Sequence, residues 1–464
     1  MKNDLAFTSR SAWDVYGDTK NMKAMNALAE RYRKFLSSCK TERETIDYLR
    51  TQLQKAGYTE NGKGDKIFRV LQNKTMFVAR KGEGSLESGL RLVAAHVDTP
   101  RLDFKQHPLL EQVNVGQAKT HYYGGIRKYH WLARPLAIHG VVVRDTGEVI
   151  SVVLGEDPKE PVFTILDLLP HLAQGQADLP LAKAFEAEKL NIVLGHKPLE
   201  PKTAKGKKDA DTPKDPVKSA ILALLNKKYG IVEEDLYSAE LQAVPAGEAR
   251  YVGLDSSMIG GYGHDDRVCT FAALEGFLAA TATNHTQCLM FWDKEEIGSE
   301  GSTGAKSRFF EYCVQECIRM WEPTAEFATI MLQTKALSAD VHAATDPDWQ
   351  EVHEKLNASL FGHGPTFCKF TGHRGKYEAN DAHPEYVSWL RSVLNKENIP
   401  WQMAELGKVD HGGGGTVAMY LAAYGMNIID CGPAVLSMHS PFELLSCADL
   451  YATKLAYTAF MNAK

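Results

Sequence analysis

Five segments of this sequence contain residue types that bind metal ions. The apolar run Leu92–Ala95 leads directly into His96, and the run Cys288–Trp292 is followed closely by two glutamates. Carboxylates and imidazoles at the end of a buried strand are costly unless they pair with cations or metals. Together the five segments supply two histidines, His96 and His439, and three coordinating carboxylates, one each from Asp265–Asp266, from Glu295–Glu296 and from Asp340, which is a ligand set for a two-metal hydrolytic centre.

Two further carboxylates beside these candidate ligands indicate what the centre would do. Asp98 follows His96 by two residues, so both side chains leave a strand on one face, and Asp98 is expected to fix the tautomer of the metal-bound imidazole. Glu295 adjoins Glu296, and one of the two would coordinate a metal while its uncoordinated neighbour takes a proton from metal-bound water. The set suits two Zn²⁺, Mn²⁺ or Co²⁺ ions about 3.5–4 Å apart that share one bridging carboxylate.

Single pieces of this pattern have simpler explanations. Asp265 and Asp266 precede a predicted helix, where one would cap the helix and the other would suit the helix dipole. After His439, the residues Ser440 and Glu443 predict a capping box, which would present the histidine from a rigid corner. The joint occurrence of all five pieces favours the metal centre over unrelated surface residues.

The elements that must position these residues form two predicted domains. Strand and helix patterns alternate in 1–105 and 251–464, which predicts an α/β domain with a central mixed sheet flanked by helices. The intervening residues 106–250 contain short β-like runs, such as Leu136–Val143 and Val149–Leu154, and predict an inserted β-rich domain. Open α/β sheets place their sites in loops beyond the carboxyl ends of strands. The candidate ligands therefore follow predicted strands of the discontinuous domain.

Three local predictions concern less regular segments. The apolar run Phe327–Leu332 predicts a strand before Asp340, and the glycine run 412–415 predicts a helix start that could hold an anion or permit close backbone packing. The lysine-rich, proline-broken segment 201–218 is expected to be a solvated loop, with a contact arm as the alternative.

The composition limits the class of protein. At 464 residues, with 44% apolar and 24% charged residues, the chain has the mixture of a globular protein of more than one domain. A formal net charge of −5 argues against a nucleic-acid binder. The sequence contains no apolar run of membrane-spanning length and no evident signal peptide. The eight cysteines form no paired framework, which predicts a reducing, cytoplasmic compartment.

The motifs resemble the aspartyl and vacuolar aminopeptidase family, in a bacterial branch. The resemblance covers essentially the whole chain and is most specific at Phe-Trp-Asp-x-Glu-Glu-Ile-Gly-Ser (291–299) and Leu-Ser-Met-His-Ser (436–440). It implies a zinc-aminopeptidase type of fold in which the inserted domain mediates dimerisation, and assembly of dimers into a tetrahedral dodecamer. It also implies that a metal-bridging hydroxide hydrolyses the first peptide bond of peptide substrates, with two Zn²⁺ ions per subunit and Co²⁺ or Mn²⁺ as alternatives.

The resemblance also implies a role for each candidate residue. Asp265 would bridge both ions, His96 and Asp340 would complete one site, and Glu296 and His439 the other. Glu295 would be the general base, and Asp98 would orient His96.

The substrate contacts are less sharply defined. Lys376 matches a basic position that could bind an acidic side chain, or it is an exposed turn lysine. His171 would reach a neighbouring subunit's site by resemblance, although a histidine in an apolar stretch is more often a core residue. His411 lies in a run, 408–416, that differs from eukaryotic relatives, so both an acidic and a neutral side-chain preference stay open. A carboxypeptidase or deacylase using the same metal centre is the alternative activity, and a non-catalytic relative is a further one.

Overall fold

The described chain, residues 5–199 and 213–464 of a computed structural model, divides into two units. The larger unit contains Met1–Thr99, Ala249–Met438 and Phe442–Lys464. The smaller unit contains Pro100–Glu248 and the tripeptide His439–Pro441. The smaller unit therefore interrupts the larger one in the sequence.

A nine-stranded mixed sheet forms the centre of the larger unit. Its four middle strands include three parallel neighbours, Gln287–Trp292, Arg91–His96 and Lys335–Ser338, so their carboxyl ends meet at one edge. The fourth, Asn427–Gly432, continues the parallel set. The full order across the sheet is Thr59–Glu60, Lys66–Leu71, Thr75–Arg80, Gln287–Trp292, Arg91–His96, Lys335–Ser338, Asn427–Gly432, Thr366–Cys368 and Gln402–Met403.

Helices cover both faces of this sheet. Successive residues of one central strand point to opposite faces, because Leu92 and Ala94 belong to one apolar cluster and Val93 and Ala95 to the other. This confirms the predicted central mixed sheet flanked by helices. The cluster with Val93 includes buried residues of six helices: Ala12–Tyr16, Thr19–Ser38, Glu42–Lys55, His264–Ala279, Pro384–Lys396 and Cys447–Asn462. The cluster with Leu92 includes buried residues of three helices: Phe309–Trp321, Phe327–Gln333 and Ala418–Ala422.

Two smaller sheets complete the larger unit. The first has five strands, in the order Arg250–Val252, Met258–Gly261, Glu443–Ser446, Ala434–Leu436 and His342–Ala343. The second is a two-stranded pairing of Gly372–His373 with Gly413–Gly414. Within the described residues, no helix is both long enough and apolar enough to cross a membrane.

Two of the local predictions are wrong. The run Phe327–Gln333 is a helix, and the strand that precedes Asp340 is the shorter Lys335–Ser338. A short apolar run does not distinguish a strand from a buried helix, which explains the error. The glycines at 413–414 pair as a strand, and the next helix begins only at Ala418, so the glycine run is not a helix start.

The predicted capping box after His439 is also wrong. Glu443 opens the strand Glu443–Ser446, and the C-terminal helix begins at Cys447. A capping box of the same sequence pattern does form at Thr41 and Glu44, at the start of Glu42–Lys55. The two sequences match the same pattern. The residues from Glu443 to Ser446, however, pair as a strand with Met258–Gly261 instead of forming a helix.

The smaller unit is built around one antiparallel sheet of seven strands. Two of them, Leu136–Val143 and Val149–Leu154, have the predicted bounds. The helix Pro216–Tyr229 contacts this sheet and includes residues 216–218 of the lysine-rich segment, whereas 201–212 lie outside the described residues. The remaining helices are Gln174–Ala177 and Leu181–Ala184, and the remaining strands are Arg101–Gln112, Val115–Tyr123, Thr164–Ile165, Ile192–Gly195 and Ala239–Pro245.

Candidate metal centre

His96 is the last residue of a central strand, and its imidazole is buried. Its Nδ1 lies 3.2 Å from the carboxylate of Asp98 and 3.1 Å from the Asp98 carbonyl oxygen, so Nδ1 donates to Asp98. The other ring nitrogen, Nε2, lies 3.1 Å from the carboxylate of Asp265 and 3.8 Å from that of Asp340. The nitrogen that faces the acids is therefore the one that would bind a metal, as the pairing of His96 with Asp98 predicts.

Two overlapping groups of side chains are spaced closely enough to hold a metal ion. The first consists of His96, Asp265 and Glu296, and the second of His96, Asp266 and Asp340. In each group the candidate ligand atoms lie within 4.8 Å of one another. Four of the five sequence-predicted ligands thus come together at the carboxyl edge of the parallel strands. Asp266, whose simpler explanation is a cap or a dipole charge at the helix start, joins them.

Asp98 also holds the backbone that carries both glutamates. Its carboxylate accepts the N–H of Glu295 at 3.1 Å and the N–H of Glu296 at 3.2 Å. These two residues begin a short 3₁₀ turn, Glu295–Ile297, directly beyond the buried strand Gln287–Trp292. One fully buried carboxylate therefore orients the imidazole of His96 and anchors the predicted base and its neighbouring ligand.

The electrostatics of this cluster favour cations. Burial, the largest effect, together with the nearby carboxylates of Asp340, Asp98 and Asp265 and against the opposing effect of His96, raises the pKa of Glu295 to about 8. Burial likewise raises the pKa of Asp266 and of Asp340. Burial alone would lower the pKa of His96, but hydrogen bonds to Asp265, Asp340 and Asp98 outweigh it and raise the pKa well above its usual value. Divalent ions would relieve this crowding of buried negative charge.

The donor set fits the metal ions that the sequence predicts. Asp266 Oδ1 is buried and has no hydrogen-bond partner among the described residues, and it adjoins the carboxylates of Asp265 and Asp340. Imidazole nitrogen and carboxylate oxygen are the ligands of hydrolytic Zn²⁺, Mn²⁺ and Co²⁺ sites. The residues present therefore fit one or two such ions.

The turn that carries Asp265 is held on both sides of the residue. Its N–H donates to the carboxylate of the buried Glu443 at 3.1 Å, and its carbonyl accepts the Thr99 hydroxyl at 2.9 Å. The peptide bond between Asp265 and Asp266 is cis. The sequence did not single out Thr99 or Glu443 as functional residues. The available signal was a polar side chain next to a motif, Thr99 beside His96-x-Asp98 and Glu443 near His439. The mistaken capping box had assigned Glu443 another role.

His439 lies in the tripeptide that belongs to the smaller unit. Its Nδ1 is 3.0 Å from the carbonyl oxygen of Gly125, so Nδ1 donates and Nε2 carries the lone pair. This is the tautomer of a histidine that ligates a metal through Nε2. The backbone at His439 has a φ of 62°, in the left-handed region that non-glycine residues rarely adopt.

Lys376 is exposed, and its ammonium donates to Asp381 at 2.8 Å. Lys369 donates to the same carboxylate at 2.6 Å, so two cations share one acid. The loop of Lys376 joins that of His411 through the pairing of Gly372 with Gly414. Glu378 in the same loop and Glu295 both raise the pKa of Tyr420, after the larger effect of burial. Tyr420 therefore lies within electrostatic reach of both this loop and the predicted base.

The other two predicted substrate residues are also on the surface. His411 is exposed, and its backbone N–H donates to the carbonyl of Lys408 at 3.0 Å. His171 is exposed in the 3₁₀ turn Pro170–Leu172 of the smaller unit. The alternative that His171 is a satisfied core histidine is therefore excluded within this chain.

Comparison with known proteins identifies relatives over the full length. A family profile described as aminopeptidase I zinc metalloprotease (M18) matches residues 35–461. A probable M18 family aminopeptidase 1 of Clostridium acetobutylicum is 45% identical, and the alignment covers 100% of both chains. The crystal structure of an M18 aminopeptidase from Thermotoga maritima has a TM-score of 0.92 at 41% identity, covering 99% of this chain and 100% of that one.

More distant structures share the fold. The mApe1 dodecamer of the yeast S. cerevisiae has a TM-score of 0.75 at 20% identity, covering 94% of this chain and 97% of that one. These matches confirm the family resemblance and the zinc-aminopeptidase type of fold expected from the sequence.

Proposed function

The chain belongs to the M18 family of zinc metallo-aminopeptidases, and on that premise we propose that it removes single N-terminal residues from peptides by means of two divalent ions and the base Glu295. The observation that carries this proposal is the convergence at one sheet edge. His96 Nε2 faces Asp265 and Asp340, while Asp98 holds His96 and the Glu295–Glu296 turn together.

The five residues that we assign to the metals would divide as the family resemblance implies. Asp265 would be the ligand shared by the two ions, His96 and Asp340 would complete one site, and Glu296 and His439 would complete the other. Asp266 lies close enough either to bind a metal ion in place of Asp265 or to hold the neighbouring ligands in position. We assign it the second role, because its Oδ2 accepts the backbone N–H of His96 at 3.4 Å. Zn²⁺ is the expected ion, with Co²⁺ or Mn²⁺ as alternatives.

Glu295 is the residue of the chain that we expect to transfer protons during the reaction. When bound, two divalent ions would polarise the scissile carbonyl and lower the pKa of water toward neutrality. Glu295 takes a proton from the attacking water and passes it to the leaving amine. Asp98 keeps Glu295 in place through the backbone and keeps the Nε2 lone pair of His96 directed at the metal site.

The preferred side chain of the substrate is acidic or neutral. Lys376, Lys369 and His411 are the candidate groups for contact with the substrate side chain. Asp381 already accepts hydrogen bonds from both lysines, so an acidic substrate side chain would have to compete with it. That competition favours a neutral residue over an acidic one.

Self-association is part of the proposed function. The smaller unit would mediate dimerisation, and dimers would assemble into a tetrahedral dodecamer, in keeping with the dodecamer of the yeast relative. Four leucines near the exposed His171 are themselves exposed, which suits a surface covered by another subunit: Leu166, Leu168, Leu169 and Leu172. His171 would then contact substrate in a neighbouring subunit.

The eight cysteines, all within the described residues, are free and buried, which fits the cytoplasm as the compartment.

A product analysis tests the reaction directly. One peptide is offered with a free N-terminus, with an acetylated N-terminus and with an amidated C-terminus, and the products are identified by mass spectrometry. Loss of the first residue from the free and amidated peptides, with the acetylated one intact, supports the aminopeptidase. Loss of the last residue would indicate a carboxypeptidase, and release of acetate would indicate a deacylase.

A further inference from the structure

A buried tyrosine–histidine pair lies beside the proposed bridging aspartate. Tyr32 comes from the long helix Thr19–Ser38, and His264 is the residue immediately before Asp265. Neither side chain has solvent-exposed surface, and the Tyr32 hydroxyl lies 2.7 Å from His264 Nδ1. His264 Nε2 lies 3.1 Å from the carbonyl oxygen of Ile259. Neither residue belongs to the ligand or base set assigned above.

The positions of the protons in this pair follow from its partners. The carbonyl of Ile259 can only accept a hydrogen bond, so Nε2 of His264 carries a proton and donates it. In a neutral imidazole ring this is the single ring proton. Nδ1 is therefore an acceptor, and the hydroxyl of Tyr32 donates to it.

The backbone around His264 has little freedom to adjust. Gly263 has a φ of 80°, and a Cβ there would lie 1.7 Å from Arg267 Nη1 and 3.1 Å from Thr99 Oγ1. On the other side, the N–H of Asp265 donates to Glu443. The His264 ring is thus fixed at both nitrogens, in a turn whose neighbouring residues are also fixed.

We infer that Tyr32 and His264 are a positioning pair, which sets the backbone of Asp265 and thereby the affinity of the centre for its metal ions. The reason is geometric: Asp265 is the proposed ligand shared by both ions, and a small rotation of its peptide would displace its carboxylate from both. Hydrogen-bond partners one step removed from a metal commonly change its affinity by about 10–100-fold. The inference rests on the metal centre of the proposed function.

The test compares two buried tyrosines that differ in location. Tyr32→Phe removes the hydroxyl that orients His264. Tyr386→Phe is the matched control, because Tyr386 is also buried and its hydroxyl donates to the carbonyl of Ala336, near the opposite end of the strand that precedes Asp340. Co²⁺ affinity is measured by competition with a chelator, and the visible spectrum of the bound Co²⁺ reports ligand geometry. Thermal unfolding of the metal-free proteins reports stability.

The expected result is a selective loss of metal affinity. Tyr32→Phe should bind Co²⁺ about 10-fold more weakly, with an altered spectrum, whereas Tyr386→Phe should lose comparable stability but keep the wild-type affinity and spectrum. Equal Co²⁺ affinity and identical spectra in Tyr32→Phe and wild type would overturn the inference. If the wild-type protein itself bound no metal, the proposed function would fail first.

Two substitutions of His264 provide an independent check if Tyr32→Phe does not fold. His264→Asn keeps an acceptor near the position of Nδ1, and His264→Gln keeps a polar group near the position of Nε2. The positioning pair predicts tighter Co²⁺ binding by the Asn variant than by the Gln variant. The reverse order, or equal affinities, would contradict a role for Tyr32 through Nδ1.

Discussion

At the scale of single residues, Glu295 and Asp98 have separable roles. Glu295 is expected to move protons without binding a metal, so Glu295→Gln should lower kcat by about 10²–10⁴-fold and leave the metal content unchanged. Steady-state kinetics and elemental analysis on the same samples check both parts. Loss of metal together with activity would mean that Glu295 is a ligand.

Asp98→Asn should act mainly on metal binding. The amide cannot accept from His96 and from two backbone N–H groups as the carboxylate does, so His96 loses its fixed orientation. We expect metal affinity to fall about 10–100-fold, measured by chelator competition. Asp381→Asn is the control, because Asp381 is an exposed acid that pairs with lysines, and its loss should leave metal affinity unchanged.

At the scale of elements, the sequence predicted the sheet edge well because each ligand follows an apolar run or precedes a helix. The strands Arg91–His96 and Gln287–Trp292 have six buried residues each, so the apolar runs Leu92–Ala95 and Cys288–Trp292 located the chain positions of His96 and Glu296 at strand ends. The strand before Asp340 was misplaced because Lys335–Ser338 has only four residues and follows an apolar helix. The sequence indicates neither the contact of Glu443 with Asp265 nor that of Tyr32 with His264, because these contacts span 178 and 232 residues.

The edge strand His342–Ala343 provides a test of stability against pH. Burial lowers the pKa of the His342 imidazole to about 4, against a hydrogen bond to Ala343, whereas the unfolded chain titrates near 6.5. Between these values the unfolded state holds more protons, so the free energy of unfolding falls as pH falls, by up to about 1.4 kcal/mol per pH unit.

Denaturant unfolding of the chelated protein from pH 7 to pH 5 measures this slope. His342→Gln should show a smaller pH dependence than wild type by about that amount, and His373→Gln, at an exposed histidine, should not. An unchanged slope in His342→Gln would show that other groups dominate the acid sensitivity.

At the scale of the whole molecule, His171 should depend on assembly. If it acts in a neighbouring subunit, His171→Ala should lower kcat/KM while metal content and oligomer mass stay at wild-type values. His196→Ala, at another exposed histidine of the smaller unit, is the control. Native mass measurement should give a wild-type assembly of twelve chains. A fully active monomer would contradict both the assembly and the role of His171.

The central claim is a metal-dependent aminopeptidase, and residue release from a panel of aminoacyl arylamides tests it most directly. The protein is stripped with a chelator and then titrated with Zn²⁺, Co²⁺ or Mn²⁺, while cleavage of the Asp, Glu, Leu, Met and Lys compounds is followed. We expect cleavage to vanish on chelation, to return as two ions bind per chain, and to be faster for Leu than for Asp. Cleavage that survives complete metal removal, or silence across the panel with two ions bound, would contradict the account.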